Sequence, residues 1–301
     1  MEKRTVKAIC YAIAAAVFYA LNVPCSKRLL RFVAPTYMAA FLYLGAGIGV
    51  GMMYLFRQLH HKSEEPSESL AKKDLPYAVG MVLLDIIAPI LLMTGVKLGT
   101  SANASLLGNF EIVATPVIAL LVFKEKVSGK LWGAIWLITL SSIILSFGDK
   151  DSFSFSVGSL FVLGATTCWG LENNCTRSIS DKNTYQIVTI KGFGSGIGAL
   201  CVAFLLRENP PELKNIPPVL LLGFVAYGLS IFTYIRAQKT LGAAKTSAYY
   251  AVAPFIGAFL SFVLLKETLT STYIVALVVM IAGTMLVVSE NLHDSGKADC
   301  S

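Results

Sequence analysis

Apolar residues are arranged along the chain in ten long runs that are separated by short polar segments. Each run comes close to the ~20 residues that an α-helix needs to cross the hydrocarbon core of a bilayer. Backbone groups inside a bilayer must be hydrogen-bonded internally, so we expect every run to be helical. The pattern predicts ten transmembrane helices, at residues 5–23, 34–56, 75–97, 100–123, 128–148, 156–177, 184–206, 217–238, 242–265 and 270–289.

The composition of the 301-residue chain agrees with this pattern, because 55% of its residues are hydrophobic and only 14% are charged. Its mean hydropathy is +0.67. Soluble domains carry ~25% charged residues, and a soluble globule must still cover itself with polar groups. We therefore predict an all-α integral membrane protein and exclude a soluble enzyme, a disordered chain and a repeat solenoid.

The net charge of +7 does not indicate nucleic acid as a partner, because the sequence has no basic stripe interleaved with aromatic residues. Ten spans place both termini on one side of the membrane. The segments on that side carry about twice as many Lys and Arg residues as the segments on the other side. This bias predicts cytoplasmic termini in a bacterial-type plasma (inner) membrane, although the cluster of Lys27, Arg28 and Arg31 opposes it.

Motifs for catalysis, metal binding or cofactor binding are missing from the sequence. The six cysteines form no C-x-x-C pair, and His60 and His61 lie in a polar loop where we expect them to be solvated. Neither G-x-S-x-G nor H-E-x-x-H occurs, and no glycine-rich stretch continues into the Lys-Ser or Lys-Thr of a phosphate-binding loop. We therefore expect no enzyme activity, no cofactor, no metal site and no direct ATP hydrolysis.

The two halves of the chain, 1–148 and 149–301, are similar to each other and predict an internal repeat. The matching residues keep their order: Asn22 with Glu172, Thr36 and Tyr37 with Thr184 and Tyr185, Gly45, Gly47, Gly49 and Gly51 with Gly192, Gly194, Gly196 and Gly198, Ala102 with Ala244, Ser105 with Ser247, and Lys124 and Glu125 with Lys266 and Glu267. Because each half has five spans, the second copy would enter the membrane from the opposite side. Inverted repeats of this kind are typical of secondary transporters, and a duplicated membrane scaffold is the alternative.

Four further motifs stand out in the sequence, namely Trp169–Asn174 with Thr176 and Arg177, Phe123–Val127, Leu265–Thr270 and Ala253–Phe255. With them the sequence resembles, over nearly the whole chain, the EamA-like ten-helix branch of the drug/metabolite transporter superfamily. The resemblance implies that helices 1, 3, 4, 6, 8 and 9 surround a pathway for an amino acid or a related metabolite, often for export. The first half departs from the family pattern. Ile112 stands at the position that matches Pro254, and the proline of this first-half span is Pro116 instead.

The repeat and the resemblance together predict a secondary transporter of a small organic metabolite. It would work by alternating access around a polar chamber near the midplane, between the two halves. A non-transporting scaffold or sensor is the main alternative, with a channel or a membrane enzyme as further rivals. The expected partners are a small-molecule solute and the lipid bilayer. Coupling to protons or another ion, the direction of transport and the oligomeric state are left open.

Ionisable residues occur inside several predicted spans. Asp85 and Glu111 lie near mid-bilayer, whereas Glu172 and Lys191 lie nearer the cytoplasmic end. A central carboxylate costs ~2.5–3.5 kcal/mol to insert, so it should face the interior and be paired or protonated. We expect Glu111 or Asp85 to pair with Lys191 across the pathway and to carry protons. The alternatives are a snorkelling Lys191, a Glu172–Arg177 pair at the interface, and an Asp85 that only hydrogen-bonds between helices.

Other polar and helix-breaking residues in the same spans are further candidates for the pathway. The polar candidates are Asn109, Asn173, Tyr249 and Tyr250. Proline removes one helix hydrogen bond and crowds the carbonyl four residues earlier. We therefore predict helix breaks at Pro89, Pro116 and Pro254, with a plain packing kink as the alternative at each.

The remaining glycine and tryptophan residues in the spans predict packing. Gly45 and Gly49 share one helix face, as do Gly192 and Gly196. Small faces allow helices to approach closely in membranes, and such faces also permit sliding. Trp132, Trp136 and Trp169 are expected to be interface anchors or packing residues.

Overall fold

The computed structural model describes residues 3–60, 68–123, 128–147 and 156–298, and these are mostly helical. The first half contains α1 (Lys3–Ala20), α2 (Asn22–Leu29), α3 (Pro35–Leu59), α4 (Leu75–Leu98), α5 (Ser101–Leu107), α6 (Glu111–Phe123) and α7 (Gly129–Ser146). The second half contains α8 (Val157–Arg177), α9 (Thr184–Leu205), α10 (Ile216–Gly223), α11 (Ser230–Tyr250), α12 (Ala253–Leu265) and α13 (Ser271–Ala298). The motif residues 124–127 and the predicted boundary at residue 148 lie outside the described residues.

Seven helical segments of the described chain are long and apolar enough to cross a membrane, and α12 is a shorter apolar helix. They cover the predicted first, second, third, fifth, seventh, eighth and tenth spans. The predicted fourth and ninth spans are each divided into shorter helices, and α8, in the sixth, carries several polar side chains. Large apolar residues such as Leu59, Phe204 and Leu205 are exposed on the outside of the bundle, as expected of a surface that faces lipid.

The two halves of the chain form one interleaved bundle. Its four most extensive helix contacts are α4 with α8, α3 with α9, α1 with α11, and α7 with α13. Each of these pairs joins a helix of the first half to a helix of the second half. The core between the halves is therefore continuous, and polar residues on α4, α8 and α9 are brought together inside it.

Glycines on α3 allow two neighbouring helices to pack at backbone distance. A Cβ atom added at Gly45 would lie 2.1 Å from the carbonyl oxygen of Leu220 on α10. A Cβ atom added at Gly192 on α9 would lie 2.4 Å from the Cα atom of Gly47. Real Cβ atoms do not approach other heavy atoms this closely. The predicted packing role of the glycine faces is therefore confirmed by the geometry.

Two predicted spans are interrupted near their middle. In the fourth span, the 3-10 turn Gly108–Phe110 separates α5 from α6. In the ninth span, a turn at Ala251 and Val252 separates α11 from α12, and Pro254 lies in the first turn of α12. Proline fits this place because an amide in the first turn has no acceptor within its own helix. A third irregularity is the π-helix Phe224–Leu229 between α10 and α11.

The predicted helix break at Pro89 is wrong, and the break predicted at Pro116 lies upstream of that residue. Helix α4 runs from Leu75 to Leu98 without interruption through Pro89. Helix α6 continues through Pro116, and the interruption of that span lies upstream, at Gly108–Phe110. A proline removes only one hydrogen bond of a helix, and the turns on either side keep the rest. At Pro254, by contrast, the helix does begin anew.

Replacing Gly45 by Ala should destabilise the protein, because the new methyl group would collide with the α10 backbone at Leu220. Overpacking of this kind costs ~1–3 kcal/mol. We expect a lower midpoint of thermal unfolding in detergent. The matched control is Gly51→Ala on the same helix, where the nearest atom to an added Cβ is 3.7 Å away. Equal midpoints for the two variants would contradict the packing model.

Candidate functional site

A buried ion cluster lies where α4, α8 and α9 meet. The ammonium group of Lys191 lies 3.0 Å from Asp85 Oδ2 and 3.0 Å from Glu172 Oε1. Asp85 is 0% exposed, Glu172 is 2% exposed and Lys191 is 7% exposed. Asp85 comes from the first half of the chain, and the other two residues come from the second half. One cation therefore connects two carboxylates across the interface between the halves.

Neutral donors add hydrogen bonds to one oxygen of each carboxylate in this cluster. Asp85 Oδ1 accepts hydrogen bonds from the Tyr43 hydroxyl at 2.8 Å and from Trp169 Nε1 at 3.2 Å. Glu172 Oε1 also accepts a hydrogen bond from the Thr176 hydroxyl. Buried charges are tolerated only when they are paired and hydrogen-bonded. Asp85 and Glu172 are both paired with Lys191, whereas Asp85 Oδ2 accepts no hydrogen bond from the described residues.

A network of neutral residues lies next to the ion cluster. Asn22 donates a hydrogen bond to the Tyr227 hydroxyl at 3.0 Å, and Ser26 donates one to Asn22 at 3.1 Å. The rings of Tyr227 and Tyr43 are 4.9 Å apart, so Tyr43 connects this network to Asp85. Tyr227 lies in the π-helix, an irregularity that is frequent at functional sites.

Glu111 forms a second polar site, separate from Lys191. It is the first residue of α6 and is half-buried. Asn173 on α8 donates a hydrogen bond to Glu111 Oε1 at 2.6 Å. The two helices approach closely because Gly170 faces Ala114, where an added Cβ would lie 2.7 Å from the Ala114 Cβ.

Aromatic residues surround the interruption of the ninth span. The ring of Tyr250, at the end of α11, is 5.9 Å from Tyr19 and 5.1 Å from Tyr234. Tyr249 precedes it on the same helix and is half-buried. Asn109, in the 3-10 turn of the fourth span, is 1% exposed, and its amide nitrogen and oxygen have no hydrogen-bond partner among the described residues.

The structure decides between the sequence-based alternatives for the pairing of these residues. Lys191 contacts Asp85 and Glu172 rather than Glu111, and it is buried rather than snorkelling. Glu172 contacts Lys191 and Thr176 rather than Arg177. Pairing depends on helix rotation and neighbours, which the position of a residue along its span does not reveal.

Sequence reasoning missed four members of the network: Asn22, Tyr43, Trp169 and Tyr227. Trp169 was expected to anchor or pack, yet its indole nitrogen donates to Asp85. Trp132 and Trp136 are 42% and 72% exposed, which agrees with an anchoring role at the lipid surface. The available signal was the polar tip that each of the four carries inside an apolar run, because such a group needs a partner when it is buried.

Charged side chains also bind helix ends at one end of the bundle. Lys27 Nζ donates to the carbonyl oxygens of Val96 at 2.6 Å and Gly99 at 2.5 Å, at the C-terminus of α4. The carboxylate of Glu267, just after α12, accepts hydrogen bonds from the backbone N–H groups of Ser101 at 2.7 Å and Ala102 at 2.8 Å. Both contacts place charge where the helix dipole favours it. They connect α2 to α4 and the second half to α5.

Comparison with known proteins shows that the chain is similar to membrane transporters. The model of the EamA-like transporter family matches residues 6–147 and 156–289. An uncharacterized transporter of Methanothermobacter thermautotrophicus is 25% identical over 289 residues, which cover 91% of this chain and 84% of that protein. The uncharacterized transporter YyaM of Bacillus subtilis is 24% identical over 210 residues, covering 65% of this chain and 69% of the relative.

A solved crystal structure of another protein has the same fold. It superposes with a TM-score of 0.66 and covers 93% of this chain and 94% of its own. The sequences are only 14% identical, so the likeness concerns the fold alone.

Replacing Lys191 by Met should destabilise the protein strongly, because Asp85 and Glu172 would lose the cation that they share. Removing one partner of a buried ion pair costs ~3–5 kcal/mol. Unfolding in detergent would measure this loss, and adding Asp85→Asn and Glu172→Gln to the variant should recover part of it. The control is Lys214→Met, at an exposed pair with Glu212, where we expect a change of at most ~1 kcal/mol. Equal stability of the two single variants would contradict the model.

Proposed function

Because this chain belongs to the EamA-like transporter family, we propose that it is a secondary transporter that carries a small organic metabolite across the membrane by alternating access. It is an integral membrane protein with several apolar helices, and its relatives are named as transporters. The observation that carries the proposal is the ion cluster of Asp85, Glu172 and Lys191. Charged groups inside a membrane bundle are costly and mark transport pathways.

We propose further that the chain consists of ten spans in two inverted five-helix repeats, 1–148 and 149–301. The family model matches in two stretches, and each falls within one of these halves. The helix interruptions also support the repeat. The separation that relates Ala102 to Ala244 also relates the 3-10 turn Gly108–Phe110 to Tyr250–Val252, where the ninth span is interrupted. Interrupted helices in corresponding positions of two halves are a feature of transporter binding sites.

The proposed solute site lies between these two interruptions. Pro254 approaches the fourth span, since its Cγ atom lies 4.0 Å from where a Cβ of Gly108 would be. Glu111 follows one interruption and Tyr250 precedes the other. Lys27 and Glu267, which hold helix ends together at one end of the bundle, would close one entrance and separate when it opens. In alternating access, this entrance would open while an entrance on the opposite side of the membrane closes.

Proton coupling is part of the proposal and is assigned to the ion cluster. Protonation of Asp85 or Glu172 would remove one of the two carboxylates that hold Lys191. The three residues lie on α4, α8 and α9, so this change would weaken the connection between the halves. A proton could in this way favour one arrangement of the helices over the other.

We propose that both termini are cytoplasmic, in a bacterial-type plasma membrane. The Lys and Arg bias of the loops supports this orientation. The cluster that opposed it includes Lys27, whose ammonium group binds the C-terminal carbonyls of α4. Lys27 therefore has a role in capping α4, so its position counts less as evidence against cytoplasmic termini.

Proteoliposomes that contain the purified protein should release a subset of solutes when they are loaded with a bacterial metabolite extract and assayed by mass spectrometry. We expect Asp85→Asn to slow this release by about tenfold or more, because the variant loses the charge that pairs with Lys191. Lys214→Met, at an exposed site, should release solutes at the wild-type rate. If the folded wild-type protein releases nothing above empty liposomes, the scaffold or sensor alternative is favoured.

A further inference from the structure

An open cleft of about 320 Å³ lies at the end of the bundle where Lys27 binds the C-terminus of α4. Its volume falls in the range of pockets that hold small molecules. One wall belongs to the first half of the chain and consists of Leu30–Ala34, between α2 and α3, and Lys97 near the end of α4. The second wall is Asn209–Glu212 of the second half, between α9 and α10. We name it the Arg31 cleft.

Hydrogen bonds hold both walls of the Arg31 cleft in place. In the first wall, the N–H group of Phe32 donates to the carbonyl oxygen of Leu29 at 2.9 Å. Next to the second wall, the Glu208 carboxylate accepts hydrogen bonds from the N–H group of Thr36 at 3.2 Å and from its hydroxyl at 2.8 Å. Thr36 belongs to the first half, so this carboxylate joins the two walls. A preformed cleft loses less conformational entropy when it binds a ligand.

The charges that line the Arg31 cleft favour an anion. Arg31 and Lys97 are exposed, and neither forms an ion pair with a carboxylate among the residues that the structure describes. Glu212 also lines the cleft, but its carboxylate is paired with Lys214 at 2.6 Å. Arg31 belongs to the cationic cluster that opposes the Lys and Arg bias of the loops. Capping of α4 accounts for Lys27 in that cluster, but not for Arg31.

Apolar surface lies beside these two cations. Phe32 lines the cleft and is 65% exposed, and Pro210 and Pro211 add their rings to the second wall. Ligand sites combine apolar surface of this kind with a few charged groups that fix the orientation of the ligand. A guanidinium group can bind a carboxylate through two parallel hydrogen bonds. The lining therefore fits a carboxylate that is attached to a small apolar body.

We propose that the Arg31 cleft binds a small organic carboxylate, whose charged end contacts Arg31 and Lys97 while its carbon atoms pack against Phe32 and Pro211. This site is separate from the ion cluster and from the solute site proposed between the helix interruptions. Because the walls come from both halves, the bound anion would favour the arrangement in which this end of the bundle is closed. That consequence, unlike the binding itself, rests on the proposed transport function.

Three probes of similar shape and different charge test the binding: phenylacetate, 2-phenylacetamide and 2-phenylethylamine. A ligand that binds the folded state raises the midpoint of thermal unfolding. We expect phenylacetate to stabilise the full-length protein in detergent in a saturable manner, less so at high salt, and the neutral amide and the amine to leave the midpoint unchanged. Equal stabilisation by the amide, or no stabilisation by phenylacetate, would overturn the proposal.

Variants of the cleft give the second arm of the test. The double variant Arg31→Gln, Lys97→Gln removes both cations, so phenylacetate affinity should fall by about tenfold or more. Both side chains are exposed, so we expect the variant to fold with a wild-type midpoint when no ligand is present. The control is Lys73→Gln, an exposed cation that precedes α4, roughly 36 Å along the helix axis from its far end. Unchanged affinity in the double variant would overturn the proposal.

Solute release from the proteoliposomes tests the consequence for the closed end. Phenylacetate on both sides of the membrane should slow release by the wild-type protein and leave release by the double variant unchanged. Equal slowing of both proteins would overturn this consequence, because the effect would then arise elsewhere. If phenylacetate binds through Arg31 and Lys97 while the wild-type protein releases no solute, the cleft stands as a binding site and the transport function fails.

Discussion

The structure depends on one buried cation that is shared by two carboxylates. Lys191 lies 3.0 Å from Asp85 and from Glu172, in an interior where an unpaired charge would be very unfavourable. Three helices from both halves of the chain must therefore keep their positions relative to one another. Tyr43 and Trp169 donate hydrogen bonds to Asp85. These bonds also fix how α3, α4 and α8 are rotated about their own axes.

Close backbone packing makes this shared ion cluster possible. Glycines at Gly45, Gly47 and Gly192 allow α3 to touch α9 and α10 without intervening side chains. Hydrophobic forces do not drive helices together inside a bilayer, so small residues and interhelical hydrogen bonds do this work. The same tight surfaces between the halves would have to rearrange during alternating access. The helix-end contacts of Lys27 and Glu267 are accessible places for such a rearrangement to begin.

In the proposed repeat, equivalent positions differ in charge. Asn22 corresponds to Glu172, and the separation that relates Ala102 to Ala244 also relates Asp85 to Tyr227. One set of positions forms the ion cluster, and the other forms the neutral hydrogen bond between Asn22 and Tyr227. Two copies of one architecture would thus have acquired different chemistry, and Tyr43 joins them.

The sequence by itself determined that this is a helical membrane protein, because runs of apolar residues can be stable only in lipid and only as helices. It also identified Asp85, Glu111, Glu172 and Lys191 as unusual, because charge inside such runs is costly. Only the tertiary structure decided that Lys191 pairs with Asp85 and Glu172, since pairing depends on helix rotation and on contacts between distant segments. It also decided where helices are interrupted, because α4 continues through Pro89 although a proline removes one helix hydrogen bond.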